Sequence, residues 1–276
     1  MQRMSTAVVL MAAVAVIAGC GGSGPTPPPP VQIVGSYLGH GIMSAYDQPV
    51  LQVGLVVRSD RTVGGAAFFS GPIVNRDAFF TGAVDASNNL TASGRLIGNS
   101  GTEDVGSFTL TGTFDNFLDG SNVAGTFTAE GVGSGQWFGF LYDIYPLGTY
   151  MGGYTGDSEG RVAIMNFLVD DIVVMIDQTD APRVDWFASD IGSAMLTPPP
   201  QPGASWGINA SDGLYGTGFS LSGGVGQTEA GGIWQQAVDT TTLSGAWSAT
   251  KPHAGAAAAA RGSMPPGPIR VRRVRP

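Results

Sequence analysis

Phe108-Thr109-Leu110-Thr111-Gly112-Thr113-Phe114 puts two phenylalanines and a leucine on one side of an extended chain and three threonines on the other. That period of two is the pattern of a strand buried on one face. Val123-Ala124-Gly125-Thr126-Phe127-Thr128 repeats it, with Asp119-Gly120-Ser121-Asn122 as the turn between. From Ile33 onward the chain keeps this texture, short apolar or alternating runs broken by Gly, Asn, Asp and Ser, with further hairpin turns at Ser59-Asp60-Arg61 and Asn88-Asn89. No stretch of useful length has a 3.6-residue period. Val162 to Val169 is nearly all apolar, but its β-branched residues and the break at Asp170-Asp171 predict two buried strands rather than one helix. The expected fold class is all-β.

Self-comparison adds a second constraint. Gly112 to Ala129 aligns without a gap on Gly232 to Ala249, matching Phe114 with Trp234, Gly125 with Gly245 and Phe127 with Trp247. Asp85 to Leu90 aligns on Asn209 to Leu214. A Gly-x-aromatic-x-Gly strand opens each half, at Gly35-Ser36-Tyr37-Leu38-Gly39 and Gly148-Thr149-Tyr150-Met151-Gly152, with another copy at Gly135-Gln136-Trp137-Phe138-Gly139. Two tandem antiparallel up-and-down β-barrel-like units of about eight strands each, related by internal duplication, follow from this spacing. Their expected spans are 33–145 and 146–250. Glycine, 43 residues of 276, suits strongly curved strands on which an aromatic covers the exposed backbone.

The Gly-x-aromatic opening strand resembles that of calycins, with Tyr in place of Trp, and the two-lobed layout is similar to that of transferrin-binding-protein-like surface lipoproteins. The resemblance implies barrels able to hold a small apolar ligand. Trp137, Trp206, Trp234 and Trp247 are the aromatics that could line a lumen or rim; core packing is the competing use for each. A lipid-facing porin-type barrel is disfavoured by the short, glycine-broken strands.

Ahead of the β region, Ala7 to Ala18 is an uncharged apolar run of secretory length, too short for the roughly 20 residues of a membrane-spanning helix. It ends in Ile17-Ala18-Gly19-Cys20, and Cys20 is the one cysteine of the chain. This resembles the lipobox of bacterial lipoproteins. The resemblance implies cleavage between Gly19 and Cys20, acylation of Cys20 and, with Gly21 rather than aspartate following, an outer-membrane address. Residues 1–19 are then a lipoprotein signal peptide and 20–32 a lipidated Gly/Pro linker. Within the linker, Pro25 to Pro30 is a stiff spacer of about 19 Å at ~3.1 Å per residue.

Gly21 to Thr250 carries 21 acidic and six basic residues, a net charge of −15, which argues against nucleic acid as a partner. Residues 251–276 hold six basic and no acidic residues and lack the strand pattern, so they read as a basic disordered tail, either a non-selected extension or an arm for lipid phosphates, anionic lipid or the acidic body. His40 and His253 are the only histidines, and no Ser/His/Asp or Cys/His set can be assembled. Zinc spacing is missing, and Asp115 to Asn122 departs from an EF-hand loop. No cofactor or metal is expected. Asp180, Asp185, Asp190 and the run Thr197 to Pro202 predict irregular strands and an exposed loop suited to recognition.

The reading that emerges is a membrane-anchored envelope lipoprotein acting as a binding or structural module, periplasmic or surface-facing, and not an enzyme. Its partner would be the membrane through the lipid anchor, with a small apolar ligand or an envelope or host protein beyond that. The alternatives are an envelope carbohydrate hydrolase using paired carboxylates, and a surface adhesin.

Overall fold

The threonine-backed run around Phe108 is a strand, and so is every other regular element among the described residues of the computed structural model: 30–46, 48–69, 76–97, 104–118, 120–168, 171–178, 194–199, 201, 204–211 and 218–252. The first eight strands are β1 (Gly35–Ile42), β2 (Leu51–Val57), β3 (Thr62–Phe69), β4 (Asp77–Val84), β5 (Asn89–Ile97), β6 (Asp104–Phe114), β7 (Val123–Ala129) and β8 (Gly133–Leu141). Each pairs antiparallel with the next, and β1 pairs with β8, so the sheet closes into a barrel.

The next eight are β9 (Gly148–Gly156), β10 (Gly160–Leu168), β11 (Asp171–Gln178), β12 (Met195–Thr197), β13 (Trp206–Ser211), β14 (Phe219–Val225), β15 (Glu229–Val238) and β16 (Thr241–Thr250). They form one antiparallel sheet in the order β11-β10-β9-β16-β15-β14-β13-β12. The ninth and sixteenth strands pair just as the first and eighth do, so the second sheet is a barrel left open between β11 and β12. The fold is all-β, in two tandem eight-stranded barrel-like units.

The turns explain the break points. Arg61 and Asn88 have φ of 65° and 68°, and Asp60 and Asp85 cap their turns by accepting backbone N–H groups from Thr62 and from Ser87 and Asn89. These hydrogen bonds hold both carboxyls below the usual carboxylate range.

Residues 31–276 form one compact unit, and a third apolar core inside it joins the barrels. The interior of the first barrel is lined by Leu51, Val53, Leu55 and the aromatics Tyr37, Phe69, Phe80, Phe108, Phe114, Phe127 and Trp137. The second interior holds Tyr150, Tyr154, Ile164, Val174, Phe219, Leu221, Trp234 and Trp247. Between the barrels, Leu38, Val56, Phe68 and Phe79 of the first pack against Met151, Ala163, Met165, Phe167, Val173 and Met175 of the second. That is why β10 and β11 are apolar on both faces: alternate residues enter the barrel and the joint. Gly54 makes the approach possible, because a Cβ there would lie 2.5 Å from Met165 Cγ and 2.6 Å from Thr149 Oγ1.

Strand position also re-reads the internal repeat. The ungapped match sets β6–β7 on β15–β16, the sixth and seventh strands on the seventh and eighth. Gly135 to Gly139 is no opening strand but part of β8, which closes the first barrel.

Candidate functional site

The tryptophans expected at a lumen or rim take two kinds of place. Trp137, Trp234 and Trp247 are buried, at 0%, 0% and 3% exposure, and Trp206 is half-buried at the edge of the second core. The three buried indoles share one geometry. Trp137 stands opposite Gly125, which stands opposite Gly112; its Nε1–H passes over both and donates to the Thr111 carbonyl at 2.8 Å. Trp247 crosses Gly232 and Gly223 to the Ser222 carbonyl at 3.0 Å. Trp234 crosses Gly245 and Gly156 to the Thr155 carbonyl at 2.9 Å. In each set the acceptor precedes the second glycine. Only residues without a Cβ let a flat indole lie across two strands; a Cβ on Gly125 or Gly232 would also meet backbone oxygen at 1.9 or 2.0 Å. The tryptophans thereby satisfy their one donor inside the sheet.

Aromatic contacts fill the space between them. Phe69 meets Phe108 and Phe127 at centroid distances of 6.4 and 5.9 Å, and Tyr37 meets Phe114 at 5.2 Å. In the second barrel Trp234 stacks on Phe219 at 5.5 Å and meets Tyr154 edge-on at 5.2 Å.

A polar cluster missed by the sequence reading surrounds the connection between the barrels. Lys251, grouped there with the basic tail, is 2% exposed; its Nζ donates to the Leu147 carbonyl at 2.8 Å and lies 5.3 Å from the Tyr150 ring centre. Burial pushes its ammonium down to about 8, while the Asp143 carboxylate pulls the other way. The Tyr145 hydroxyl accepts from the Trp206 N–H at 3.0 Å and donates to the Val225 carbonyl at 2.7 Å. Tyr150 donates to the Gly226 carbonyl at 2.8 Å, and burial raises its hydroxyl well above the ordinary tyrosine value. Asn166 Nδ2 donates to the Pro146 carbonyl at 3.1 Å. These groups tie the connection to both ends of the second barrel's closing strands. The signal available in sequence was the sole lysine, placed directly after the last alternating run.

The outer face of β5 to β8 is the opposite of the joint. Thr91, Thr111, Thr126 and Gln136 form one exposed row across four strands, and Ser93, Thr109, Thr128 and Ser134 the next. Thr111 and Thr126 share a hydrogen bond at 2.9 Å. These two rows carry no charge. On the neighbouring β1–β8 ladder, His40 lies 6.3 Å from both Phe138 and Phe140, and partial burial lowers its pKa.

Several carboxylates serve local structure. Glu130 accepts from the Ser107 N–H at 3.0 Å, Asp157 from the Ser244 N–H at 2.9 Å, and Asp177 pairs with Arg161. Asp115 accepts from the Asn116 N–H at 2.7 Å. Among the described residues, no group of three or more His, Cys, Asp or Glu could hold a metal ion. Gly19, Cys20, Asp119, Asp180, Asp185, Asp190 and His253 lie outside the described residues, as do the signal peptide, nearly all of the linker and the tail beyond Pro252.

No protein-family model matches the chain, and neither does any curated protein. Among solved structures, the chain is similar to kievitone hydratase from Nectria haematococca, at 11% identity and a TM-score of 0.23, over 81% of this chain and 90% of that one. A likeness at that score assigns neither activity nor ligand here.

Proposed function

We propose that this protein is a membrane-anchored envelope lipoprotein that works as a binding or structural module, without catalysis. The observation that carries the reading is Cys20, the sole cysteine, placed at the end of an uncharged apolar run in Ile17-Ala18-Gly19-Cys20. Several chains on one cysteine would make attachment permanent, since each buried methylene contributes about 0.8 kcal/mol and one chain alone holds a protein only marginally. Support for a binding or structural role comes from the interiors, which buried aromatics occupy, and from carboxylates engaged in turns and an ion pair. Contact with a partner then falls to the loops and the uncharged hydroxyl face of β5 to β8. The outer membrane is the proposed address, because Gly21 stands where aspartate would signal retention.

Metabolic labelling with a palmitate analogue in a Gram-negative host tests this. The wild-type chain should take up label and run at the size of a product cut before Cys20, while Cys20→Ala should stay unlabelled and uncut. A wild-type product that is processed yet carries no label would overturn the reading.

A further inference from the structure

The two ends of the folded unit leave it at one pole. Gln32 and Ile33 offer their carbonyls to the Tyr37 hydroxyl at 3.0 and 2.7 Å, and Ser36 Oγ accepts the Thr149 N–H at 2.5 Å. A Cβ on Gly148 would lie 2.6 Å from Ser36 Oγ and 3.2 Å from Lys251 Cδ, so the first strand and the last lysine flank the same glycine. Lys251 is fixed there through its own N–H, which donates to the Thr228 carbonyl at 2.7 Å, and through its Nζ on Leu147. Chain beyond Pro252 therefore starts beside the point where the linker joins the first barrel.

That continuing chain carries Arg261 and then Ile269-Arg270-Val271-Arg272-Arg273-Val274-Arg275, with no acidic residue. We propose that this arginine segment binds the anionic phosphate surface of the membrane to which Cys20 is attached; the proposal rests on the lipid-anchor reading above. Reach permits it. The eleven residues from Cys20 to Val31 span at most about 39 Å, and the eighteen from Pro252 to Arg270 at most about 64 Å. From the opposite pole, the tail would first have to pass strands of about 30 Å.

Charge favours lipid over the protein's own body. At physiological ionic strength the Debye length is about 8 Å, so a spacer of about 19 Å holds the acidic barrels where their repulsion from the membrane is screened. The arginines need no such distance. Carboxylates that could compete are partly committed, as Asp60, Asp85 and Asp157 are to backbone N–H groups. Each arginine near an anionic surface favours binding several-fold, so four give on the order of several hundred-fold. Ile269, Val271 and Val274 add apolar side chains able to enter the interface.

The test uses residues 21–276, which contain the whole compact unit and neither the signal peptide nor Cys20, so no acyl chain contributes. Co-sedimentation with phosphatidylglycerol–phosphatidylcholine vesicles is compared with pure phosphatidylcholine, at low and high salt. The chain should bind the anionic vesicles alone, lose that binding in high salt, and lose several hundred-fold affinity when Arg270, Arg272, Arg273 and Arg275 are all changed to Gln, with far-UV circular dichroism unchanged. Equal binding by the Gln variant, or binding that ignores lipid charge, would overturn the proposal. So would a Gln variant that binds as well but melts lower without vesicles, which would place the arginines on the acidic body. Failure of palmitate labelling would sink the anchor reading and leave this measurement untouched.

Discussion

Ser36 and Thr149 hold the same place in the two Gly-x-Tyr-x-Gly opening strands, and they bond to each other across the joint between the barrels. Ser36 Oγ accepts the Thr149 N–H at 2.5 Å and donates to the Thr149 carbonyl at 3.1 Å, while Thr149 Oγ1 donates to the Tyr37 carbonyl at 2.8 Å. Both residues are buried. Replacing Ser36 with Ala leaves the Thr149 N–H without its partner, so Ser36→Ala should cost about 1–3 kcal/mol in urea unfolding. A cost near zero would mean that the strand motif, not this contact, aligns the barrels.

Because Met165 and its neighbours form a core shared by both barrels, calorimetry should show one unfolding transition rather than two. Met165→Ala should lower stability by about 2–5 kcal/mol. Gly54→Ala, which drives a methyl into Met165 and Thr149, should cost about 1–3 kcal/mol. Two separate transitions in the unmodified chain would show the joint to be too weak to couple them.

The indole-over-glycine arrangement predicts an order of effects. Trp247→Phe keeps most of the buried surface and loses the bond to Ser222, a loss of about 1–3 kcal/mol. Gly232→Ala should be worse, since its Cβ would meet the Ser222 carbonyl oxygen at 2.0 Å in the middle of a sheet. Denaturant midpoints for the two variants check the ranking, and a milder Gly232→Ala would contradict it.

Stability should pass through a maximum in mildly alkaline solution. The Lys251 ammonium, ordinarily near 10.5, is pushed down to about 8 in the fold. Between those values the unfolded chain binds a proton that the folded chain does not, so stability rises with pH. Above about 10 the trend reverses, because burial keeps the hydroxyls of Tyr37, Tyr142 and Tyr150 protonated after their unfolded counterparts have ionised. Urea midpoints measured from pH 7 to 11 should climb from about 8 and fall beyond about 10. Lys251→Met should remove the climb and spare the fall; a climb that survives would assign it elsewhere.

Much of the architecture was legible because the period of two is a local property. Phe108 to Phe114 predicted a strand with its threonines outward, and those threonines face solvent. The apolar run after Val162 was read as two buried strands, and the structure adds the reason, a second core behind the first. The internal match slipped by one strand. By strand position Trp137 corresponds to Trp247, both on the eighth strand over glycines of the seventh and sixth. The ungapped alignment had set Phe127 there instead. An aromatic facing glycine recurs on neighbouring strands, as Phe127 faces Gly135, so composition alone cannot count the strands.

By itself the sequence determined the class of fold, the turns and which face of β6 and β7 meets water, since those depend on residues adjacent along the chain. The tertiary structure alone decided that the three indoles reach across glycines to a third strand, that Lys251 belongs to the joint, and that one barrel closes while the other stays open. Each of those depends on which distant strands lie side by side, and long-range pairing leaves no periodic mark on a single sequence.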